Sequence, residues 1–344
     1  MLGILFDYEN PFRIRLLLAK RQCRRGLPRL QPGRLFHRRF WPVYWPPAIS
    51  KDLYSRAKTS EEKVKVLKEW HPKGYVNLDP IKNLEEYFKY VRLATCDSTW
   101  FRGESMDHGH LIPKLYRNID DDKIAEQHKI ERTYYYEFQR RSRALAAAIH
   151  PDDIWSWYFL MQHYGGPTRL LDWTQDAGIA LFFSLDTDRD SMENPIVTVL
   201  QPTVLVHYAF KELGEDESFR GLVLYPGEAP TERWITNITG KNDQLIGIMP
   251  DSPIALLPPY FDPRITAQRS CFTLFGKHMY AFYKNDKHIT CPCCDQKIIL
   301  KLVIEGQEKN ALRKELARIG ITNGRVYPGL VGISKELSEE IYRT

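Results

Sequence analysis

The sequence predicts an α+β protein, with a helical first half packed on a mixed or antiparallel sheet drawn from the second half. Two observations predict it. Helical patterns dominate up to residue 185, while short runs of β-branched and apolar residues dominate after Pro195. The two kinds of segment are largely segregated rather than alternating, which points away from a doubly wound parallel sheet. With 43% apolar and 27% charged residues in 344, the chain has ordinary globular composition and enough length for a sizeable core.

Residues 1–50 stand apart. They carry ten Lys and Arg against Asp7 and Glu9, a net +8, whereas the remainder carries −2. No helical or strand period runs through them, and they end in Phe40-Trp41-Pro42-Val43-Tyr44-Trp45-Pro46-Pro47. Composition predicts a disordered basic extension. The alternative is an arm for nucleic acid or another acidic partner. The near-neutral remainder argues against a nucleic-acid surface spread over the whole body.

Residues 51–81 form a helical lead-in, with Ser60-Glu61-Glu62 opening a capped helix that runs to Trp70. The main domain is expected over residues 82–344. Leu84, Tyr87, Phe88 and Val91 share one face of its first helix. Ser98 to Glu104 is dense in strand formers, stops at Gly103-Glu104, and sets Arg102 near a strand end. An extended segment covers Leu111 to Arg117, and a long helix runs from about Lys123 to His150. Ile154-Trp155-Ser156-Trp157-Tyr158-Phe159-Leu160-Met161 is apolar almost all round, as is Ala177 to Leu185, so both predict buried helices. Strands follow at 196–200, 254–257, 271–275 and 298–304, and helices near 309–319 and 335–342 close the chain.

Between the two buried helices lies Gln162-His163-Tyr164-Gly165-Gly166-Pro167-Thr168-Arg169-Leu170-Leu171-Asp172-Trp173-Thr174. Gly165-Gly166-Pro167 must stop the incoming helix. Thr168 then reads as the cap of another helix. A cation, an acid and an indole set among leucines predict a polar pair held by an apolar wall.

Several function classes find no support. No apolar run approaches the roughly 18 residues of a membrane span. Six cysteines do not make a disulfide framework, and an intracellular, cytoplasmic setting is expected. His288, Cys291, Cys293 and Cys294 approximate a zinc set, but only Cys291 and Cys294 have the usual spacing, and a hairpin tip carrying reduced thiols is the preferred account of them. Glycine-rich phosphate loops and a hydrolase elbow are absent.

Phe101-Arg102-Gly103, the 162–174 stretch, Pro263 to Phe272 and Val326 to Ile333 together resemble the FRG domain, a family named for the tripeptide. The resemblance covers roughly residues 82–344. The family often has a glycine after its glutamine, where this chain has Arg269-Ser270-Cys271. The resemblance implies a bacterial or phage setting of defence or toxin type, and an ADP-ribosyltransferase-like chemistry acting on NAD. For that chemistry Arg102 and Arg169 would clamp phosphate or ribose. Tyr164 and Trp173 would wall the ring, and His163, Thr168 and Gln268 would hold ribose hydroxyls. Asp172 or Glu104 would face the oxocarbenium character that grows as the glycosidic bond breaks. Such transferases typically use a late glutamate, and Gln268 stands there instead. Competing readings remain for several of these, and Arg102 would in that case partner the carboxyl end of a helix or Asp172. Arg169 and Asp172 would pair as ions at a helix start, His163 would cap its helix, Trp173 would be core, and Gln268 would satisfy backbone. A non-catalytic module binding nucleic acid or protein is the alternative function.

Overall fold

The sheet has six strands: β1 (Trp100–Glu104), β2 (Leu170–Thr174), β3 (Ile196–Leu200), β4 (Ile254–Leu256), β5 (Ser270–Leu274) and β6 (Ile299–Val303). All pair antiparallel, in the order β4-β5-β2-β1-β3-β6. The computed structural model describes residues 79–95, 98–186, 193–215, 223–239, 249–279, 282 and 298–342. The basic extension, the 60–70 helix and the 288–294 cysteine cluster lie outside the described residues.

Ten helices surround the sheet among the described residues: α1 (Leu84–Ala94), α2 (Ile124–Ser142), α3 (Ile154–His163), α4 (Ala177–Leu185), α5 (Pro202–Glu212), α6 (Thr236–Thr239), α7 (Pro263–Ala267), α8 (Lys309–Arg318), α9 (Asn323–Val326) and α10 (Leu330–Ile341). Local signals set several starts. Asn83, Asp153, Asp176 and Asp262 each accept a hydrogen bond from a backbone N–H two or three residues on. Proline stands in the first turn of α5 and of α7, where its missing N–H costs nothing.

The α+β class is observed, with one qualification about chain order. The two central strands, β1 and β2, come from the first half of the chain, so the sheet is not the property of the second half alone. Residues expected to begin a helix after Thr168 instead form β2. The long helix expected to His150 stops at Ser142 and gives way to turns.

Alternation along the strands feeds two separate cores. Trp100 and Leu200 join α3, α5 and β5 in one, while Phe101, Val197, Val199, Leu300 and Leu302 join α1, α4 and α8 in the other. Helix α4 crosses β1 so closely that a Cβ on Gly103 would lie 1.9 Å from the Ala180 carbonyl oxygen and 2.6 Å from the Ser184 nitrogen. Both are backbone atoms that cannot step aside, so the glycine of the tripeptide is a packing requirement.

Candidate functional site

The sheet comes apart at its centre. Strand β1 shares five register pairs with β3, and β2 shares five with β5, but β1 and β2 share only Phe101↔Thr174. Beyond that pair, the Asp172 carbonyl takes its hydrogen bond from a side chain. Arg102 Nη1 donates to it at 2.9 Å, while Arg102 Nε donates to Glu104 Oε1 at 3.2 Å. Arg102 thus spans the parting, and its side chain is only 15% exposed. Arg117 lies near the same place. Its Nε donates to the Ile112 carbonyl, and burial, followed by the Arg102 charge, pushes its pKa down.

The 162–174 stretch supplies the other side. Gly165, at φ +78, and Gly166 turn the chain at the end of α3, with Gly165 N donating to Gln162 O and Gly166 N to Met161 O, both at 2.9 Å. A Cβ on Gly166 would lie 2.6 Å from Met161 Cγ. The turn brings Gln162 over β2. Its amide nitrogen donates to Asp172 Oδ2 at 3.0 Å, and its oxygen accepts from the Thr168 hydroxyl. Asp172 is the one exposed residue of an otherwise buried strand, and it forms no salt bridge among the described residues.

Arg169 points the opposite way, into the interior. It is wholly buried and pairs with Glu131 of α2, Nε to Oε2 at 2.8 Å. Its remaining hydrogens go to the Phe275 carbonyl (2.7 Å), the Trp234 carbonyl (2.6 Å), Asn237 Oδ1 (2.7 Å) and Met249 Sδ (3.0 Å). Glu131 also accepts from Asn237 Nδ2, from the Arg169 backbone and from the Tyr158 hydroxyl. Burial raises the Glu131 carboxyl, but the Arg169 charge and these donors outweigh it and hold the pKa below the usual range. The expected ion pair between Arg169 and Asp172 is therefore not formed. Both residues belong to an extended segment rather than a helix start, and Arg169 finds its acid 38 positions upstream.

His163, at the end of α3, sits with Nδ1 3.6 Å from Asp262 Oδ1. Burial first, then the neighbouring Arg264, holds its pKa below the ordinary histidine value against the pull of Asp262 and Asp172. Tyr164 meets the imidazole edge-on and is 67% exposed. Trp173 is buried and donates to Thr273 Oγ1 at 3.0 Å. The Gln268 amide donates to the Val326 carbonyl at 3.0 Å, and its backbone oxygen accepts from Thr174. The next residue, Arg269, holds a left-handed backbone at φ +46, a conformation glycine adopts most cheaply.

The structure therefore gathers Arg102, Glu104, Gln162, Thr168 and Asp172 around the parting, and His163 with Tyr164 beside them. It turns the side chains of Arg169, Trp173 and Gln268 into the protein. Sequence reasoning passed over Arg117, Asp262 and Arg264. The last two lie in or next to the Pro263–Phe272 block, which was the available signal. An open cavity of about 760 Å³ runs along α2, lined among others by Ile130, Tyr134, Phe138 and Leu145, and none of the candidate residues lines it.

No helix among the described residues is long and apolar enough to cross a membrane. No curated protein and no solved structure matches the chain. A family model does match, over residues 97–193, which include Phe101-Arg102-Gly103 and the whole 162–174 stretch but neither of the later blocks: the chain is an FRG domain-containing protein.

Proposed function

We propose that the FRG domain of this chain is a nucleotide-dependent transferase that uses NAD in the manner of ADP-ribosyltransferases. The observation that carries the proposal is the parting between β1 and β2, with Arg102 laid across it and the carboxylate of Asp172 facing solvent beside it. A guanidinium anchored through Nε and Nη1 retains Nη2 for a ligand oxygen. Heterolysis of the bond between ribose C1′ and the nicotinamide nitrogen sends the electron pair out with nicotinamide and leaves positive character on the sugar. Asp172, steadied by Gln162, supplies the negative charge opposite it. An acceptor then bonds to C1′ and gives up its proton. Glu104 is already engaged by Arg102, so Asp172 is the better placed of the two acids. Arg169 and Gln268 act as positioning residues, the first holding the start of β2 to α2 and the second tying the start of β5 to α9.

Incubation of the full chain with labelled NAD and a cell extract tests the reading. Release of nicotinamide and labelled product by the wild type, lost in Asp172→Asn and Arg102→Ala, is expected. No release under any condition, or release indifferent to both changes, defeats it. A role of defence or toxin type adds that expression of the wild type, but not Asp172→Asn, slows growth of a bacterial host. The alternative, a module that binds nucleic acid or protein without chemistry, draws on the +8 charge of residues 1–50. It requires a salt-sensitive shift of RNA or DNA that disappears on deleting them.

A further inference from the structure

Helix α10 sits on the domain the wrong way round for an amphipathic helix. Its inward side is a glycine and two acids. A Cβ on Gly332 would lie 1.9 Å from the Tyr327 carbonyl oxygen, so the helix presses on the turn that follows α9. Glu336 Oε2 accepts from Gly324 N at 2.6 Å, and Glu339 Oε1 accepts from Arg313 Nη2 of α8 at 2.9 Å. At 3.6 residues per turn, Leu330, Ile333, Leu337 and Ile341 line up on a side roughly 140° away from those three. All four are exposed, from 48% at Leu337 to 86% at Leu330, and none belongs to either core. A helix lying on a domain ordinarily turns such a stripe inward and its charges outward.

Size, symmetry and charge select what covers this face. Four aliphatic side chains in a row reach the few hundred Å² beyond which bare apolar surface marks an interaction site. With Val331 and Tyr342 exposed on the rim, the patch approaches the ~800 Å² that each partner contributes to a standard interface. Laid antiparallel on a copy of itself, the stripe sets Leu330 opposite Ile341 and Ile333 opposite Leu337. One surface then serves both sides, as two-fold symmetry demands. The exposed charges of the helix are Lys335 and Glu340, which cancel, and Ser334 and Ser338 fill the rest of its outer flank. A basic face for anionic lipid is therefore lacking, and no excess of either sign calls for an acidic or a basic partner. We propose that α10 is a dimerisation helix, which pairs antiparallel with α10 of a second copy of this chain.

Sedimentation equilibrium of the full chain between about 1 and 100 µM tests it, and the outcome does not depend on the NAD reading above. The wild type is expected to sediment with twice the mass of one chain. Leu337→Glu places a charge on the stripe and leaves the inward contacts alone, so it should raise the dimer dissociation constant by about thirtyfold or more while circular dichroism keeps the wild-type helix content. Leu330→Glu, at the most exposed of the four positions, supplies a folded variant should Leu337→Glu not fold, with the same loss expected. Ser334 lies beside the midpoint of the antiparallel pair, so Ser334→Cys should cross-link to its counterpart on mild oxidation under conditions that leave the wild type uncross-linked. The proposal is overturned if the wild type stays monomeric across that range, if the folded glutamate variants dimerise as the wild type does, or if the Ser334→Cys dimer does not cross-link. Binding of a monomeric wild type to phosphatidylcholine vesicles, lost in Leu337→Glu, would make the stripe a lipid-facing surface and overturns it as well.

Discussion

Replacing Arg169 by Met keeps the volume of the side chain and deletes its charge, which isolates the worth of the buried pair. In the native protein the guanidinium is fully buried against Glu131 and also satisfies the Phe275 and Trp234 carbonyls and Asn237. Removing one partner of a buried ion pair costs about 3–5 kcal/mol. Each carbonyl left without a donor adds roughly 1–3 kcal/mol. Glu131 keeps three other donors, so the lower ends apply, and they still come to about 5 kcal/mol. That rivals the whole margin of many domains, roughly 5–15 kcal/mol. Urea denaturation followed by tryptophan fluorescence should therefore show Arg169→Met unfolded or with a far lower midpoint. The double variant Glu131→Gln/Arg169→Met should recover part of the loss, because no bare charge remains. Asp172→Asn, at an exposed position, should move stability by no more than about 0.5 kcal/mol. An Arg169→Met protein with the wild-type midpoint would refute the reasoning.

Two other outcomes follow from the same geometry. His128 is buried with Nε2 2.5 Å from the Tyr116 hydroxyl, and burial, reinforced by Arg169, pushes its pKa down to about 3. The unfolded chain then binds the extra proton below about pH 6.5, so stability should fall with pH by up to about 1.4 kcal/mol per unit down to about pH 3. Denaturation midpoints at pH 7.5, 6 and 5 check this, and His128→Gln should flatten the profile. The depressed Glu131 carboxyl adds stability that is present above its unfolded pKa and lost as pH falls through the folded one. Gly103→Ala should cost about 3 kcal/mol or more, since its methyl meets two backbone atoms of α4, and a thermal melt within a degree of wild type would contradict the packing argument.

The parts of the fold that could be read from the sequence were those with a local cause. Helix α4 showed itself through an unbroken apolar run, and β3, β5 and β6 through β-branched clusters between turn signals. Strand β2 did not. Leu170-Leu171-Asp172-Trp173-Thr174 is buried on both faces except at Asp172, so it shows no alternation, and Pro167-Thr168 imitated a helix entry. Arg169 stands out by residue type and the nearest acid in sequence is Asp172, but a pairing across 38 residues with Glu131 leaves no trace in local spacing. Asp262 and Arg264 gained significance only when α7 came to rest against the end of α3. Gln268 stood in a recognisable block, yet nothing in that block told which way its amide would turn.

A sheet whose halves meet at one residue pair has two internal edges, and bare edges are where foreign strands add on. Here the guanidinium of Arg102 occupies one of the exposed acceptors, placing a charge where an intruding peptide would need to lie. The residue proposed to grip a substrate therefore also guards the chain against pairing with its own neighbours at high concentration, so variants lacking it should be watched for aggregation before any loss of activity is credited to chemistry.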